Sequence, residues 1–301
     1  MSSHTVGLRL ALALGLFAAF LNSSRTPLHA QRASREQTLY VSAVNDKGEP
    51  VDGLGPDAFL IREDGVRREV LRVSRAIEPI DIALLVDNSA AAEEEITFMR
   101  DGVSRFDALM APNNQIALIA LADRPTIFVD YTNDPKRLAA GVGRLFSMPM
   151  SGATLLDALV ETAKGLEKRE TPRAVIVPII TDGPEFTNRY YRDVAAEVRK
   201  AQAAIHMVSI GTFYHSEEQG IRERSFLLDE GPRTTGGQRI SLLTAQALPD
   251  TMQRLARELS SQYKVVYGRP ESLVPPEKTD VSSARAGITM RGAPARQKAG
   301  A

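Results

Sequence analysis

Two apolar runs that each end in a carboxylate constrain this chain more than any other feature. Ile82-Ala83-Leu84-Leu85-Val86 stops at Asp87-Asn88-Ser89, and Ala174-Val175-Ile176-Val177-Pro178-Ile179-Ile180 stops at Thr181-Asp182-Gly183. Uninterrupted runs of this kind fit strands buried on both faces, which occur in parallel sheets covered by helices. If the two strands are neighbours, Asp87 and Asp182 meet at the carboxyl edge of the sheet, where open α/β folds place their ligands.

The flanking pattern supports that architecture. Ile96, Met99, Val103, Phe106 and Met110 recur at helical spacing, as do Leu156, Leu159, Ala163 and Leu166, then Tyr191, Val194, Val198 and Ala201, and finally Leu248, Met252, Leu255 and Leu259. Pro135 opens a further helix. Between these come the strand-like runs 115–121, 126–131, 204–210 and 238–242. Alternation of strand and helix over 80–260 predicts a doubly wound, mostly parallel sheet flanked by helices. Residues 38–78 read differently: Thr38–Val44 alternates, and Asp64-Gly65 joins two short strand-like runs, 59–63 and 66–73, as a hairpin turn would. These predict a small antiparallel β unit before the core. Residues 261–290 read as a β extension containing Tyr263–Tyr267 and an edge strand near Ala286–Met290, and 291–301 as a disordered tail.

The first 30 residues carry Arg9, an apolar run from Leu10 to Leu21 and a small residue at Ala30, the pattern of a cleaved secretory signal. That run, about 12 residues, falls short of the roughly 20 that span a membrane. The expectation is export to the periplasm or medium, no membrane span after signal removal, and a disordered linker over 31–37. Removing the signal takes away Arg9 and Arg25 and no acid, leaving 35 basic residues against 37 acidic. This balance gives no electrostatic footprint for nucleic acid. The absence of cysteine excludes a disulfide scaffold, a thiol nucleophile and a thiolate-ligated metal.

Asp87, Ser89, Thr154 and Asp182 offer carboxylates and hydroxyls at strand and helix ends, a donor set that suits a hard cation such as Mg2+ or Mn2+. Each also has a plain reading: Thr154 with Asp157 fits a variant capping box, Ser89 a helix cap, and Asp182-Gly183 a turn. Glu93-Glu94-Glu95 fits a solvated helix start. No glycine-rich phosphate loop and no Gly-x-Ser-x-Gly elbow is present.

Taken in order, strand to Asp87-x-Ser89, Gly152-x-Thr154 before a helix, and strand to Thr181-Asp182-Gly183, these features resemble the von Willebrand factor A-type fold. Residues 44–65 and the Tyr263/Tyr267 pair are similar to an exported bacterial subfamily described in Acidobacteria. The resemblance implies a metal-ion-dependent adhesion site formed by Asp87, Ser89, Thr154 and Asp182, with Ala91 standing where the family has a second serine. It implies a non-catalytic module that binds a protein or peptide partner, through an acidic side chain of that partner where a metal bridges the two. The alternatives are a metal-independent scaffold in an envelope assembly, and a metal-dependent phosphohydrolase, against which Ser89 stands where such an enzyme needs a second acid.

Overall fold

The computed structural model describes residues 34–213, 216–270, 274 and 276–296. The signal expected over 1–30 lies outside the described residues. A six-stranded sheet forms the centre. Its strands are β5 (Asp81–Val86), β6 (Gln115–Ala120), β7 (Thr126–Thr132), β8 (Ala174–Thr181), β9 (Ala203–Ile210) and β10 (Gln238–Leu242), in the order β10-β9-β8-β5-β6-β7. All neighbours are parallel except β6 and β7, which are antiparallel. The mixed sheet flanked by helices is the fold class that the apolar runs predict.

Every residue of β5 and β8 is buried because helices cover both faces. Ile82, Leu84 and Val86 face a layer containing α1 (Ile96–Met110), α2 (Pro135–Val142) and α6 (Leu248–Ser260). Ala83 and Leu85 face the opposite layer, built from α3 (Leu155–Arg169), α4 (Tyr191–Ala201) and α5 (Gln219–Thr235). Each large aliphatic side chain so removed from water contributes roughly 1.5–3 kcal/mol. Pro178 sits inside β8, opposite Leu85 of β5, and the β8–β9 ladder skips Val177 and Pro178. A prolyl nitrogen has no hydrogen to donate, so the ladder is interrupted there and resumes at Ile179.

The small β elements are completed from the far end of the chain. Strand β1 (Ser34–Asn45) pairs with β11 (Tyr263–Pro270) and β13 (Ile288–Pro294), and β11 pairs with β4 (Val70–Arg75). The hairpin of β2 (Phe59–Glu63) and β3 (Val66–Arg68) turns at Asp64-Gly65 as expected, but the run read as one strand over 66–73 is divided, its second part β4 joining the other sheet, and β12 (Thr279–Ser283) pairs with the other edge of β2. Leu39, Val41, Phe59, Ile61, Tyr263, Val265 and Tyr267 fill the space between the two small sheets.

Two further expectations are corrected here. Residues 34–37, read as linker, pair with 267–270, and Arg291–Pro294, read as disordered tail, form part of β13. Polarity misled in both places, because ladder hydrogen bonds hold an exposed strand whatever its side chains. Among the described residues, no helix is long and apolar enough to cross a membrane.

Candidate functional site

The carboxyl ends of β5, β6 and β8 lie side by side, and the loops leaving them meet. Asp87, fully buried, follows β5 and donates its backbone N–H to Ile179 O at 2.9 Å. Its Oδ1 accepts the backbone N–H of Ser89 at 2.9 Å, and its Oδ2 accepts from Thr181 twice, from N at 3.1 Å and Oγ1 at 2.5 Å. A buried carboxyl group that accepts three hydrogen bonds is held in one position by the two central strands.

Asn88 was not singled out by sequence, yet it joins the loops. Its Oδ1 accepts from Leu121 N and Ala122 N at 3.1 and 2.9 Å, and its Nδ2 donates to Phe146 O at 3.2 Å. Its own carbonyl accepts from Met148 N at 2.8 Å. The only signal in the sequence was an asparagine just past a strand, where its side chain commonly satisfies loop backbone.

The plain readings of two hydroxyls are not realised. Ser89 precedes a short 3-10 turn, Ala90–Ala92, but its side chain makes no cap, and its buried Oγ has no partner. Thr154 precedes α3 and also makes no side-chain cap; its Oγ1 donates instead to Leu121 O at 2.7 Å. Asp157, the expected partner in a capping box, receives Thr187 Oγ1 and Arg189 Nε at 2.8 and 2.6 Å. The acceptor at the start of α3 is Glu185 Oε1, 3.2 Å from Leu156 N.

Asp182 differs from Asp87 in being exposed, with Oδ2 accepting from Thr212 N at 3.3 Å. Gly211, at φ +100°, passes beneath it, and a Cβ there would come within 2.9 Å of Asp182 Oδ2. Ala91 packs its methyl against the same loop: a Cβ on Gly183 would lie 2.3 Å from Ala91 Cβ. Ala91, where the resemblance implies a second serine, therefore presents a methyl to the Asp182-Gly183 turn.

Two further groups lie under this edge. Arg224 of α5 is buried, donates from Nη1 to Gly183 O at 2.6 Å and stacks over Phe213, 5.1 Å from the ring centroid. Burial lowers its pKa, while the carboxylates of Glu185, Asp87, Asp182 and Glu218 favour its charge. Glu185, also buried, is pushed up to about 8, chiefly by desolvation. Glu95 is raised by burial and by the negative charges of Glu94, Asp182 and Asp87, so it belongs to the same field.

An unpartnered buried hydroxyl at Ser89, a Thr154 hydroxyl whose proton is already committed, and carboxylates at Asp87 and Asp182 are oxygen donors of the type a hard divalent cation requires. By donor type they suit such an ion. Among the described residues, no group of three or more acids or histidines is placed to hold a metal, so hydroxyls and water must complete any shell.

A family model described as von Willebrand factor type A domain matches residues 82–185, a span that includes Asp87, Ser89, Thr154 and Asp182. A search of curated proteins found no match. Among solved structures the chain is similar to proximal thread matrix protein 1 from the mussel byssus, with 13% identity and a TM-score of 0.48. That likeness covers 69% of this chain and 50% of the other, so the chain spans half the length of that protein. It is similar to BatB from Bacteroides thetaiotaomicron, with 14% identity, a TM-score of 0.47, and coverage of 60% of this chain and 100% of that one. For the vWF domain of the type V pili tip protein Mfa5 from Porphyromonas gingivalis, the values are 12% identity, TM-score 0.47, and coverage of 60% and 95%.

Proposed function

We propose that this protein is an exported, non-catalytic module that binds a protein or peptide partner at the carboxyl edge of its central sheet, a reading supported by the match of residues 82–185 to the von Willebrand factor type A domain model. The observation that carries the reading is the buried, unpartnered Ser89 hydroxyl, two residues after the hydrogen-bonded carboxylate of Asp87, at the sheet edge that also carries the exposed Asp182. A buried hydroxyl without a partner is costly unless something outside the chain supplies one.

Asp87, Ser89, Thr154 and Asp182 would hold Mg2+ or Mn2+. When bound, the ion would supply a Lewis-acidic point for a carboxylate of the partner. The chain's own part is rigidity: Asp87 is held by Thr181 and Ser89 N–H, and Asn88 fastens the surrounding loops. A nucleophilic role for Asp87 fits poorly, because both of its oxygens are already hydrogen-bonded. Export rests on the leader pattern over residues 1–30.

A metal-independent version is favoured by one observation, the Ala91 methyl packed where the family places a ligand hydroxyl. Calorimetric titration of Mg2+ and Mn2+ into the chelator-stripped protein, beside Asp182→Ala and Ala91→Ser, separates the two. Binding by the native chain that Asp182→Ala abolishes supports the metal-bridged reading. No binding by the native chain, restored by Ala91→Ser, means that recognition proceeds without an ion.

A further inference from the structure

A cleft of about 720 Å³ lies beside the candidate site, and its walls include none of Asp87, Ser89, Thr154 and Asp182. It is formed by the first turn of α3 with Asp157, the loop after β8 from Glu185 to Arg189, and the start of α5 at Glu218–Gly220. Its size falls in the range of small-ligand sites, roughly 300–1,000 Å³. The walls are held close. Phe186 N donates to Ala153 O at 2.7 Å, and Gly220 approaches the loop so tightly that a Cβ there would lie 2.1 Å from Glu185 O.

Polar groups at the cleft lack partners. Glu185 is 2% exposed; its Oε1 accepts from Leu156 N at 3.2 Å, and its Oε2 has no hydrogen-bond partner. Its electrostatic neighbour Arg224 is buried to the same degree and has an unpartnered Nε. Asn188 and Gln219 are exposed, and their side-chain amides make no hydrogen bond among the described residues. The first backbone N–H groups of α5 receive no side-chain cap. Buried polar groups in this state are costly until something supplies the missing bonds.

Charge selects no ion as the occupant. Asp157 is paired with Arg189 at 2.6 Å, Glu185 and Arg224 attract each other, and Glu218 stands at the N-terminus of α5, whose dipole offsets it. A hydroxyl both donates and accepts, so it serves a carboxyl oxygen, an arginine N–H and an amide alike. The aromatic rings favour the same occupant. Phe186, 50% exposed, is the one apolar side chain in the described wall; Tyr190 follows Arg189, and Phe226 lies about two turns along α5 from Gln219, exposed to 55% and 47%. Open ring faces without apolar pockets suit the flat C–H face of a sugar, whereas the anchoring side chains of a peptide fill pockets. We propose that this cleft binds a neutral saccharide, with hydroxyls bonded to Glu185, Asn188 and Gln219 and one face of a sugar ring laid on Phe186. The site is separate from the sheet edge and needs no metal ion.

The test is affinity electrophoresis of the full chain, in chelator, through native gels cast with dextran, starch, mannan, xylan or a β-glucan, and through one cast with gelatin as a polypeptide. The expected result is retardation in at least one polysaccharide gel. The double variant Phe186→Ala, Gln219→Ala should weaken it by about tenfold, through loss of a stacking face and a hydrogen-bonding amide. Both side chains are exposed, so its circular dichroism should match the parent. Asp182→Ala should leave the retardation unchanged. Free mobility in every polysaccharide gel overturns the inference, as does retardation that the double variant keeps. Retardation by gelatin alone assigns the cleft to a peptide, and retardation that vanishes with Asp182→Ala moves the sugar to the sheet edge; either result overturns it too.

Discussion

One oxygen of the Asp87 carboxylate receives both the hydroxyl and the backbone N–H of Thr181, so the ends of β5 and β8 are joined by a side chain as well as by their ladder. This makes the two acids of the site unequal. Asp87 is part of the core, whereas Asp182 is free to meet a ligand.

Substitution separates these roles. Asp87→Ala leaves Thr181 and Ser89 with unsatisfied donors in a buried place and is expected to cost about 2–4 kcal/mol of stability. Asp182→Ala, at an exposed position, should stay within about 0.5 kcal/mol. Urea denaturation of both variants checks this. Equal, small effects would mean that Asp87 is not held as described.

The Ala91 contact predicts a coupled pair. Gly183→Ala would drive a methyl to 2.3 Å from Ala91 Cβ and should cost about 1–3 kcal/mol. Removing the opposing methyl in Ala91→Gly, Gly183→Ala should recover much of the loss. A double-mutant cycle measures the coupling, and additivity would show that the two loops move apart without strain.

Stability against pH contains two opposing parts. Burial pushes Asp107 up to about 7 from 3.8, so the stability tied to its neutral form is full below 3.8 and is lost as pH rises toward 7. Burial pulls His206 down to about 4 from 6.5, so its part is full above 6.5 and is lost as pH falls toward 4. Glu185, which burial raises from 4.5 to about 8, acts in the same direction as Asp107. Asp107→Asn should therefore flatten the fall of stability with pH, and His206→Met should steepen it, each by about 1–2 kcal/mol across the shared window. Chemical denaturation across that range reads the slopes, and unchanged slopes would contradict the burial of these groups.

The paired tyrosines of β11 should not be equivalent. Tyr267 Oη donates to the buried Glu63 carboxylate at 2.8 Å, whereas Tyr263 Oη donates to the Val51 carbonyl at 2.7 Å. Bonds to a charged acceptor are the stronger kind, so Tyr267→Phe is expected to cost about 2 kcal/mol and Tyr263→Phe about 1. Thermal or urea unfolding ranks them, and the reverse order would show that the bond to Glu63 is not the stronger of the two.

Much of the central fold was legible because its signals are local. A strand buried on both faces must be apolar throughout, as Ile82–Val86 and Ala174–Ile180 are, and an amphipathic helix must repeat its apolar residues, as Met99 to Met110 do. The acids and hydroxyls of the site were equally visible, because they stand where those runs end. The structure alone decided what each one does there. Whether Ser89 and Thr154 cap helices depends on where their side chains turn, and neither caps.

The pairing of β1 with β11 and β13 joins residues more than two hundred positions apart, and no periodicity encodes such a partner. Asn88, Glu185 and Arg224 acquired their places in the same way, since hydrogen bonds from Asn88 to Leu121 and from Arg224 to Gly183 exist only once separate elements have packed. The sequence by itself determined the periods, and with them the layers and the residues at the sheet edge. Tertiary packing decided the partners, because burial and hydrogen-bond satisfaction are properties of the assembled chain.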